Sequence, residues 1–194
     1  MELTLDLTKR YTYADYLTWF DDVRRELIDG IVSLMSAPLR IHAKVSRNVV
    51  RALDDYLRKS NCNCEVYDAP FDVRLPHNGE KEDDKIYTVV QPDICIICDL
   101  AKLDDRGCCG APDMIVEILS PGTRKKDMHK KYALYEKAGV KEYWIANPKA
   151  KTITAYILQQ DGQYNDGEEY VLGEKAPVHI FGDYLIDLQD VFTE

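Results

Sequence analysis

The sequence predicts an α/β (α+β) fold in which helices flank a mixed central β-sheet. Residues 93–99 and 114–119 are nearly continuous apolar runs, which are typical of strands buried on both faces. Residues 42–59 and 123–138 carry apolar side chains at helical spacing. With the shorter strand patterns, the core order is helix, four strands, helix, two strands, which favours helices layered on a sheet.

The chain opens with a predicted short helix and a hairpin. Residues 12–15, Thr-Tyr-Ala-Asp, form a weak capping box, so we expect a helix from there to Phe20. Residues 26–35 form two short apolar segments around Asp29-Gly30. Because Asp-Gly readily adopts the positive φ angles of a two-residue turn, these segments predict a β-hairpin.

A long amphipathic helix and two short strands follow. The apolar stripe of residues 42–59 consists of Val45, Val49, Leu53, Tyr56 and Leu57. His42 stands at the head of that stripe. Residues 64–67 and 71–75 predict strands, and the polar residues 77–85 predict a loop.

The second half of the chain alternates a helix with strands. Residues 123–138 predict a helix that ends at Gly139, because glycine favours the left-handed conformation that follows a helix C-terminus. Residues 142–146 and 152–158 predict further strands. Residues 184–192 have a mixed pattern and predict a strand or a cap on the core.

The length of the chain favours a single domain, because 194 residues are enough for one substantial domain and few for two. We divide residues 1–194 into an N-terminal helix and hairpin (residues 1–40), a core (residues 41–158) and C-terminal strands (residues 159–194). No apolar run reaches the roughly eighteen residues of a membrane-spanning helix. The N-terminus lacks the basic and apolar regions of a signal peptide, so we expect a cytoplasmic protein.

The net charge of -9 argues against a broad basic surface for nucleic acid, although it is compatible with a local basic patch. Six cysteines are present: Cys62, Cys64, Cys95, Cys98, Cys108 and Cys109. In a cytoplasmic protein we expect them to be free, buried or loop thiols. Cys95 and Cys98 would point to opposite faces of a strand, and the other four lack the two-residue spacing of a zinc knuckle.

Two acidic residues are candidate metal ligands. Glu117 lies within the second apolar run, and a buried carboxylate is costly unless it is paired or bound to a metal. Asp93 begins the first apolar run, directly after Pro92. Carboxylates on two neighbouring strands suit Mg²⁺ or Mn²⁺. The alternative is structural: Glu117 forms a salt bridge with a lysine or arginine, and Asp93 caps a strand.

The predicted helix after Glu117 adds a lysine. One face of this helix carries Asp127, Lys131, Leu134, Tyr135 and Ala138. Because Leu134 and Ala138 should face the sheet, we expect Lys131 to point inward, toward the strand of Glu117. The alternative is an Asp127–Lys131 pair on the surface, which contributes only a few tenths of a kcal/mol.

Basic residues crowd the start of the same helix: Arg124, Lys125, Lys126, His129 and Lys130. Positive side chains and free N–H groups at a helix N-terminus suit a phosphate. A solvated run of charges is the alternative. The position beside the two acids favours phosphate binding by Arg124, Lys125, Lys126 and Lys130.

At these residues the chain resembles the PD-(D/E)XK nuclease superfamily and, more closely, the Uma-two (Uma2) family of putative restriction endonucleases. The resemblance rests, in chain order, on Tyr11-Thr12, Glu26-Leu27-Ile28-Asp29-Gly30, His42, Pro92-Asp93, Gly110-Ala111-Pro112, Glu117-Ile118-Leu119-Ser120-Pro121, Asp127 with Lys131 and Tyr135, and Gly139 through Trp144. A typical superfamily member has a lysine where this chain has Leu119, two residues after the acid. Lys131 would be its substitute on the helix.

The resemblance implies a restriction-endonuclease-like fold and a metal-dependent endodeoxyribonuclease. Asp93, Glu117 and the Ile118 carbonyl would bind Mg²⁺ or Mn²⁺, and Lys131 would orient or deprotonate the attacking water or neutralise charge on the phosphate. Supporting roles would fall to Glu26, His42, Asp127 and Tyr135. Glu26 would be an extra ligand, His42 a phosphate contact, and Tyr135 would position Lys131.

Other functions fit the same residues. The chain could be an inactive nuclease fold that binds nucleic acid or protein, or Asp93, Glu117 and Lys131 could form a purely structural ionic cluster. An enzyme acting on another phosphate ester would use the same site. Cutting both DNA strands takes two sites, which favours a homodimer, and the apolar residues 152–158 are a candidate interface.

Overall fold

The computed structural model describes residues 5–77, 79–120 and 125–193, with the backbone alone for residues 125–127. The α-helices in these ranges are α1 (Tyr13–Tyr16), α2 (Arg40–Ser60), α3 (Lys125–Ala138) and α4 (Leu188–Phe192). The strands are β1 (Arg25–Ile28), β2 (Ile31–Leu34), β3 (Glu65–Asp68), β4 (Val73–Arg74), β5 (Val89–Val90), β6 (Ile94–Ile97), β7 (Leu103–Asp104), β8 (Gly107–Cys109), β9 (Met114–Ile118), β10 (Glu142–Asn147), β11 (Thr152–Ile157), β12 (Glu168–Val171), β13 (Lys175–Pro177) and β14 (Leu185–Asp187).

The central sheet has six strands in the order β12-β11-β10-β9-β6-β3. β9 and β10 are parallel, and α3 connects them, whereas the other neighbours are antiparallel. A parallel pair needs a crossover of this kind, since the chain must return to the same end of the sheet. The predicted mixed sheet flanked by helices is confirmed.

Both faces of β9 are buried, as its apolar run predicts. Val116 and Ile118 belong to a core that includes Val49 and Leu53 of α2. Ile115, on the other face, packs in a second core that includes Tyr135 of α3 and Tyr143 of β10. The sheet therefore lies between α2 and α3, and any polar side chain on the α3 face of β9 is directed into the protein.

A second sheet, in the order β2-β1-β5-β4-β8-β7, positions the N-terminal hairpin. β1 and β2 pair around a turn in which Asp29 has φ 51° and Gly30 has φ 79°, the conformation expected for Asp-Gly. Leu27 of β1 pairs with Val89 of β5, just before Gln91. The neighbouring residue Glu26 is thereby brought beside the start of β6.

The helices differ from the prediction mainly at the N-terminus. Thr12 caps α1 with a complete capping box, but the helix ends at Tyr16 instead of Phe20. Phe20 is 93% exposed, so its side chain contributes little buried apolar surface that would favour a longer helix. None of the helices in the described ranges is long and apolar enough to cross a membrane.

The C-terminal segment completes the core. Residues Ala176, Val178, Ile186, Leu188, Val191 and Phe192 pack in the cluster that contains α2. The segment predicted as a strand or a cap is both, since β14 is followed directly by α4. β11 pairs with β10 on one side and with β12 on the other, so both of its edges are occupied, and the interface predicted at residues 152–158 stays a prediction.

Two cysteines differ from the prediction of free thiols. Cys64, just before β3, forms a disulfide with Cys98, just after β6. The antiparallel register pairs Glu65 with Ile97, which places the two cysteines opposite each other at the end of the ladder. Cys95 and Cys108 are buried free thiols.

Candidate active site

Five segments of the chain meet at the acid centre, which we define as Glu26, His42, Asp93, Glu117 and Lys131. Glu26 comes from β1, His42 from α2 and Glu117 from β9. Asp93 immediately precedes β6, and Lys131 lies on α3. Because β6 and β9 are antiparallel with Ile94 opposite Val116, Asp93 lies beside the end of β9 that carries Glu117.

Lys131 joins two of the acids. Its Nζ donates to Oε1 of Glu26 and to Oε1 of Glu117, each at 2.9 Å. The Tyr135 hydroxyl donates to the same Oε1 of Glu117 at 2.7 Å. Tyr135 therefore positions Glu117, and not Lys131 as the resemblance implied. Lys131 and Tyr135 lie one helical turn apart on α3, so this helix holds the carboxylate of Glu117 from β9.

Asp93 is held on the opposite side of the centre. Its Oδ2 accepts from the backbone N–H of Ile118 at 2.7 Å and lies 3.1 Å from Nε2 of His42. The hydrogen bond to Asp93 raises the pKa of His42 above its usual value, while burial opposes the shift and Glu117 adds to it. A hydrogen bond to the backbone of Ile118 acts in the same direction.

Burial controls the protonation of the two central groups. It raises the pKa of Glu117 to about 7, even though the neighbouring Lys131 favours the charged carboxylate. The negative charges of Asp93 and Glu26 add to this increase. Burial alone would lower the pKa of Lys131, but Glu117 and Glu26 outweigh it and hold that pKa well above its usual value.

The centre opens to a cleft of about 170 Å³. Besides the five residues of the acid centre, it is lined by Ser33, Leu34, Met35, Ser36, Ile118, Ser120 and Met128. A second cleft of about 280 Å³ adjoins it and shares His42 and Asp93. Solvent and a small polar ligand therefore reach the carboxylates from the α2 side.

The acid centre suits a divalent cation in charge and in ligand type. Glu26, Asp93 and Glu117 bring three carboxylates against the single ammonium of Lys131. The hydrogen bonds between described residues leave Oδ1 of Asp93 and Oε2 of Glu117 unused, and both residues line the cleft. Carboxylate oxygens are the ligands that Mg²⁺ and Mn²⁺ prefer.

The carboxylates are not gathered around one ion position. The described His, Cys, Asp and Glu side chains include no group of three arranged to hold a metal. Lys131 and His42 instead bind one oxygen of Glu117 and of Asp93, respectively. A metal would therefore bind through the second oxygen of each acid.

Several predicted residues lie outside the centre or outside the described part of the chain. Arg124 and the side chains of Lys125, Lys126 and Asp127 are not among the described parts, so their predicted roles stay predictions. Lys130 is exposed, and it lines a separate cleft beside Lys131.

One residue of the site was missed as a functional residue. The side-chain oxygen of Gln91 accepts from Nε and Nη2 of Arg24, and its Nε2 donates to Oδ1 of Asp72 at 2.8 Å. Its backbone N–H donates to Oε1 of Glu26 at 2.9 Å. Gln91 thus ties Glu26 to the residues before Asp93. Its position directly before Pro92 was the only sequence signal.

Comparisons with known proteins bear on the family and the fold of this chain. The family model Uma2, described as putative restriction endonuclease, matches residues 13–184. Uncharacterized protein slr1290 of Synechocystis sp. is 23% identical over 153 residues, which cover 77% of this chain and 75% of that protein. The crystal structure of a putative nuclease belonging to DUF820 from Anabaena variabilis has the same fold, with a TM-score of 0.74 and 19% identity over 94% of this chain and 98% of that one. Since the family model spans most of the sequence, the chain belongs to the Uma2 family of putative restriction endonucleases.

Proposed function

We propose that the protein is a metal-dependent endonuclease that hydrolyses phosphodiester bonds of nucleic acid, with DNA as the substrate. The observation that carries the proposal is the meeting of Asp93, Glu117 and Lys131 at one accessible cleft. Membership of a family described as putative restriction endonucleases supports the same function.

Asp93, Glu117 and the carbonyl of Ile118 would hold Mg²⁺ or Mn²⁺, with Glu26 as a further candidate ligand. Such a cation supplies a bound water of lowered pKa and stabilises negative charge on the scissile phosphate. The excess of carboxylates over ammonium groups in the centre is the feature that supports cation binding.

Lys131 acts as a fixed positive charge. Its two carboxylate partners raise its pKa, which favours the protonated form over the general base. We therefore assign it the stabilisation of negative charge on the phosphate oxygens. Tyr135 holds Glu117 in place, and His42, whose ring contacts Asp93 in the same cleft, contacts the phosphate.

The test is cleavage of supercoiled plasmid in Mg²⁺ or Mn²⁺, with EDTA as the metal-free control. E117Q should abolish nicking while the far-UV circular dichroism stays that of the wild type. The matched control is E142Q: Glu142 is also a buried strand acid, but it accepts from Trp144 and Ile180 N outside the cleft. Undiminished nicking by E117Q would contradict the assignment.

Calorimetry separates metal binding from catalysis. Wild-type protein should bind Mn²⁺, E117Q should bind it much more weakly, and K131A should lose rate more than metal affinity. Metal binding without nicking would assign the centre to another phosphate ester.

The second candidate is a nuclease fold that binds nucleic acid or protein without cleaving it. Leu119 in place of the usual lysine and the hydrogen bonds from Lys131 to both acids favour it. It predicts that the folded wild type neither nicks plasmid nor binds Mn²⁺.

The endonuclease proposal includes a homodimer, since cutting both strands of a duplex takes two centres and two-fold pairing is the common arrangement. Light scattering coupled to size exclusion should give twice the chain mass of 22.3 kDa. A single-chain mass at all concentrations would exclude the dimer and leave the centre's chemistry unaffected.

A further inference from the structure

Helix α2 carries a row of basic side chains on its outer face. Arg40, Lys44, Arg47 and Arg51 recur at intervals of four, three and four residues, so they lie on one side of the helix. The buried side chains of α2 are Val45, Val49, Leu53 and Leu57. At 100° per residue these two sets point in opposite directions. The basic row therefore faces away from the core.

The four basic residues have no acidic partner among the described residues. Further along the same helix, Arg58 is bonded to Asp54 at 2.7 Å. The sequence contains no acidic residue between Asp29 and Asp54. In a chain with 34 acidic and 25 basic residues, the stretch of residues 30–53 carries positive side chains and no acidic one.

A series of clefts connects the acid centre to this row. The second cleft shares His42 with the acid centre and is also lined by Arg24 and Arg47. A third cleft, of about 540 Å³, is lined by Lys44, Arg47 and Arg51. Arg47 lines both the second and the third cleft, so it links them across the outer face of α2. We refer to the three clefts, which begin at the catalytic carboxylates, as the groove.

The basic row extends over a distance comparable to a short nucleic-acid segment. From His42 to Arg51 the helix rises about 14 Å, a distance over which the axis of a duplex advances by roughly four base pairs. Asp55 and Asp190 also line the third cleft, and Asp68 and Asp93 line the second. Since carboxylates repel phosphates, we expect the strand to contact the basic side chains of each cleft and not its acids.

We propose that the phosphate backbone of a nucleic acid lies in this groove, with Arg24 and Arg47 binding it at the second cleft and Lys44 and Arg51 at the third. The proposal rests on the proposed endonuclease function and adds the surface that holds the strand. A line of uncompensated cations that leads into a phosphodiesterase centre suits a regular polyanion.

The test compares two double variants of α2. R47A/R51A removes two cations from the groove, whereas R58A/K59A removes two from the same helix outside it. Binding of a labelled DNA duplex, and of an RNA duplex of the same sequence, is measured by fluorescence anisotropy in EDTA over a series of salt concentrations. Circular dichroism establishes that each variant is folded.

R47A/R51A should weaken binding by tenfold or more and lower the slope of log K against log salt by about 1.8, because each phosphate contact contributes about 0.9. R58A/K59A should keep the wild-type slope. Equal losses in the two variants, no loss in R47A/R51A, or no binding of either polymer by the wild type would each overturn the proposal. The polymer that binds more tightly is identified as the ligand.

Failure of the groove is distinguishable from failure of the catalytic proposal. Duplex binding is measured in EDTA, so it does not depend on the metal that the proposed cleavage requires. Binding without plasmid nicking would contradict the endonuclease alone. Nicking by a protein whose R47A/R51A variant keeps wild-type affinity would contradict the groove alone.

Discussion

Glu117 is a buried carboxylate that titrates near neutral pH beside a lysine that does not. It is 7% exposed, and one of its oxygens accepts hydrogen bonds from both Lys131 and Tyr135. Burial raises its pKa, whereas Lys131 remains charged because two acids surround it. The net charge of the acid centre therefore depends on whether Glu117 is protonated.

The stability of the protein should depend on pH through Glu117. Its pKa rises from 4.5 to about 7 on folding, so the folded state binds the proton more tightly and loses stability as the pH rises through that window. Urea unfolding at pH 5 and pH 8 should show this loss in the wild type, up to about 3 kcal/mol. In E117Q the loss should be smaller by that amount, and identical pH dependence in the two proteins would contradict the burial argument.

Two buried tyrosines should respond oppositely to loss of their hydroxyls. Tyr135→Phe removes the 2.7 Å hydrogen bond to Glu117 and should cost about 1–3 kcal/mol. The Tyr143 hydroxyl, also buried, has no hydrogen-bond partner in the described structure, so Tyr143→Phe should be neutral or stabilising. Chemical denaturation of both variants measures the difference. A larger loss for Tyr143→Phe would show that this hydroxyl has a partner.

At the scale of elements, the site depends on the register between β6 and β9 and on the position of α3 over them. β6 and β9 place Asp93 beside Glu117, and α3 places Lys131 one turn before Tyr135 above them. The ladder between β3 and β6 ends in the Cys64–Cys98 disulfide. The strand that follows Asp93 is thus covalently linked to its neighbour at the end away from the acid centre.

The disulfide should stabilise the fold. It closes a loop with a sequence separation of 34, for which chain-entropy arguments give about 3–4 kcal/mol. Reductant should lower the unfolding free energy of the wild type by roughly 2–4 kcal/mol and leave that of C64S unchanged. Thiol titration in denaturant should find the four cysteines Cys62, Cys95, Cys108 and Cys109 before reduction, and six after it. Six thiols before reduction would exclude the bond.

At the scale of the whole molecule, the N-terminal segment is connected to the core through the site. A separate apolar cluster contains Tyr11, Tyr13, Leu27, Ile86 and Val89, and Trp19 packs against it. β1 pairs with β5, and Glu26 bonds to Lys131 of α3. Because these contacts bridge the two parts, we expect the chain to unfold as one unit.

The two tryptophans test this expectation. Trp19 reports on the N-terminal cluster, and Trp144 is fully buried in the core. Wild-type fluorescence, which reports on both tryptophans, should follow the same urea transition as the far-UV circular dichroism of the wild type. In W19F the fluorescence of Trp144 should likewise coincide with the circular dichroism of that variant. Separate midpoints would show that residues 1–40 unfold independently.

The sequence by itself determined the elements that local patterning specifies. The apolar runs placed β6 and β9, the helical stripe placed α2 within two residues of its ends, and Asp29-Gly30 placed the hairpin turn. The inward position of Lys131 also followed from helical periodicity, since the spacing of Leu134, Tyr135 and Ala138 fixes which face of α3 meets the sheet.

Only the tertiary structure decided which groups touch. Lys131 bonds to Glu26 as well as to Glu117 because β1 pairs with β5. These two strands are more than sixty residues apart in the chain, and local sequence does not specify the register in which they pair. The same holds for the Cys64–Cys98 bond and for the role of Gln91. Residue types and periodicity specify faces of elements, whereas contacts between distant elements depend on the packing of all layers together.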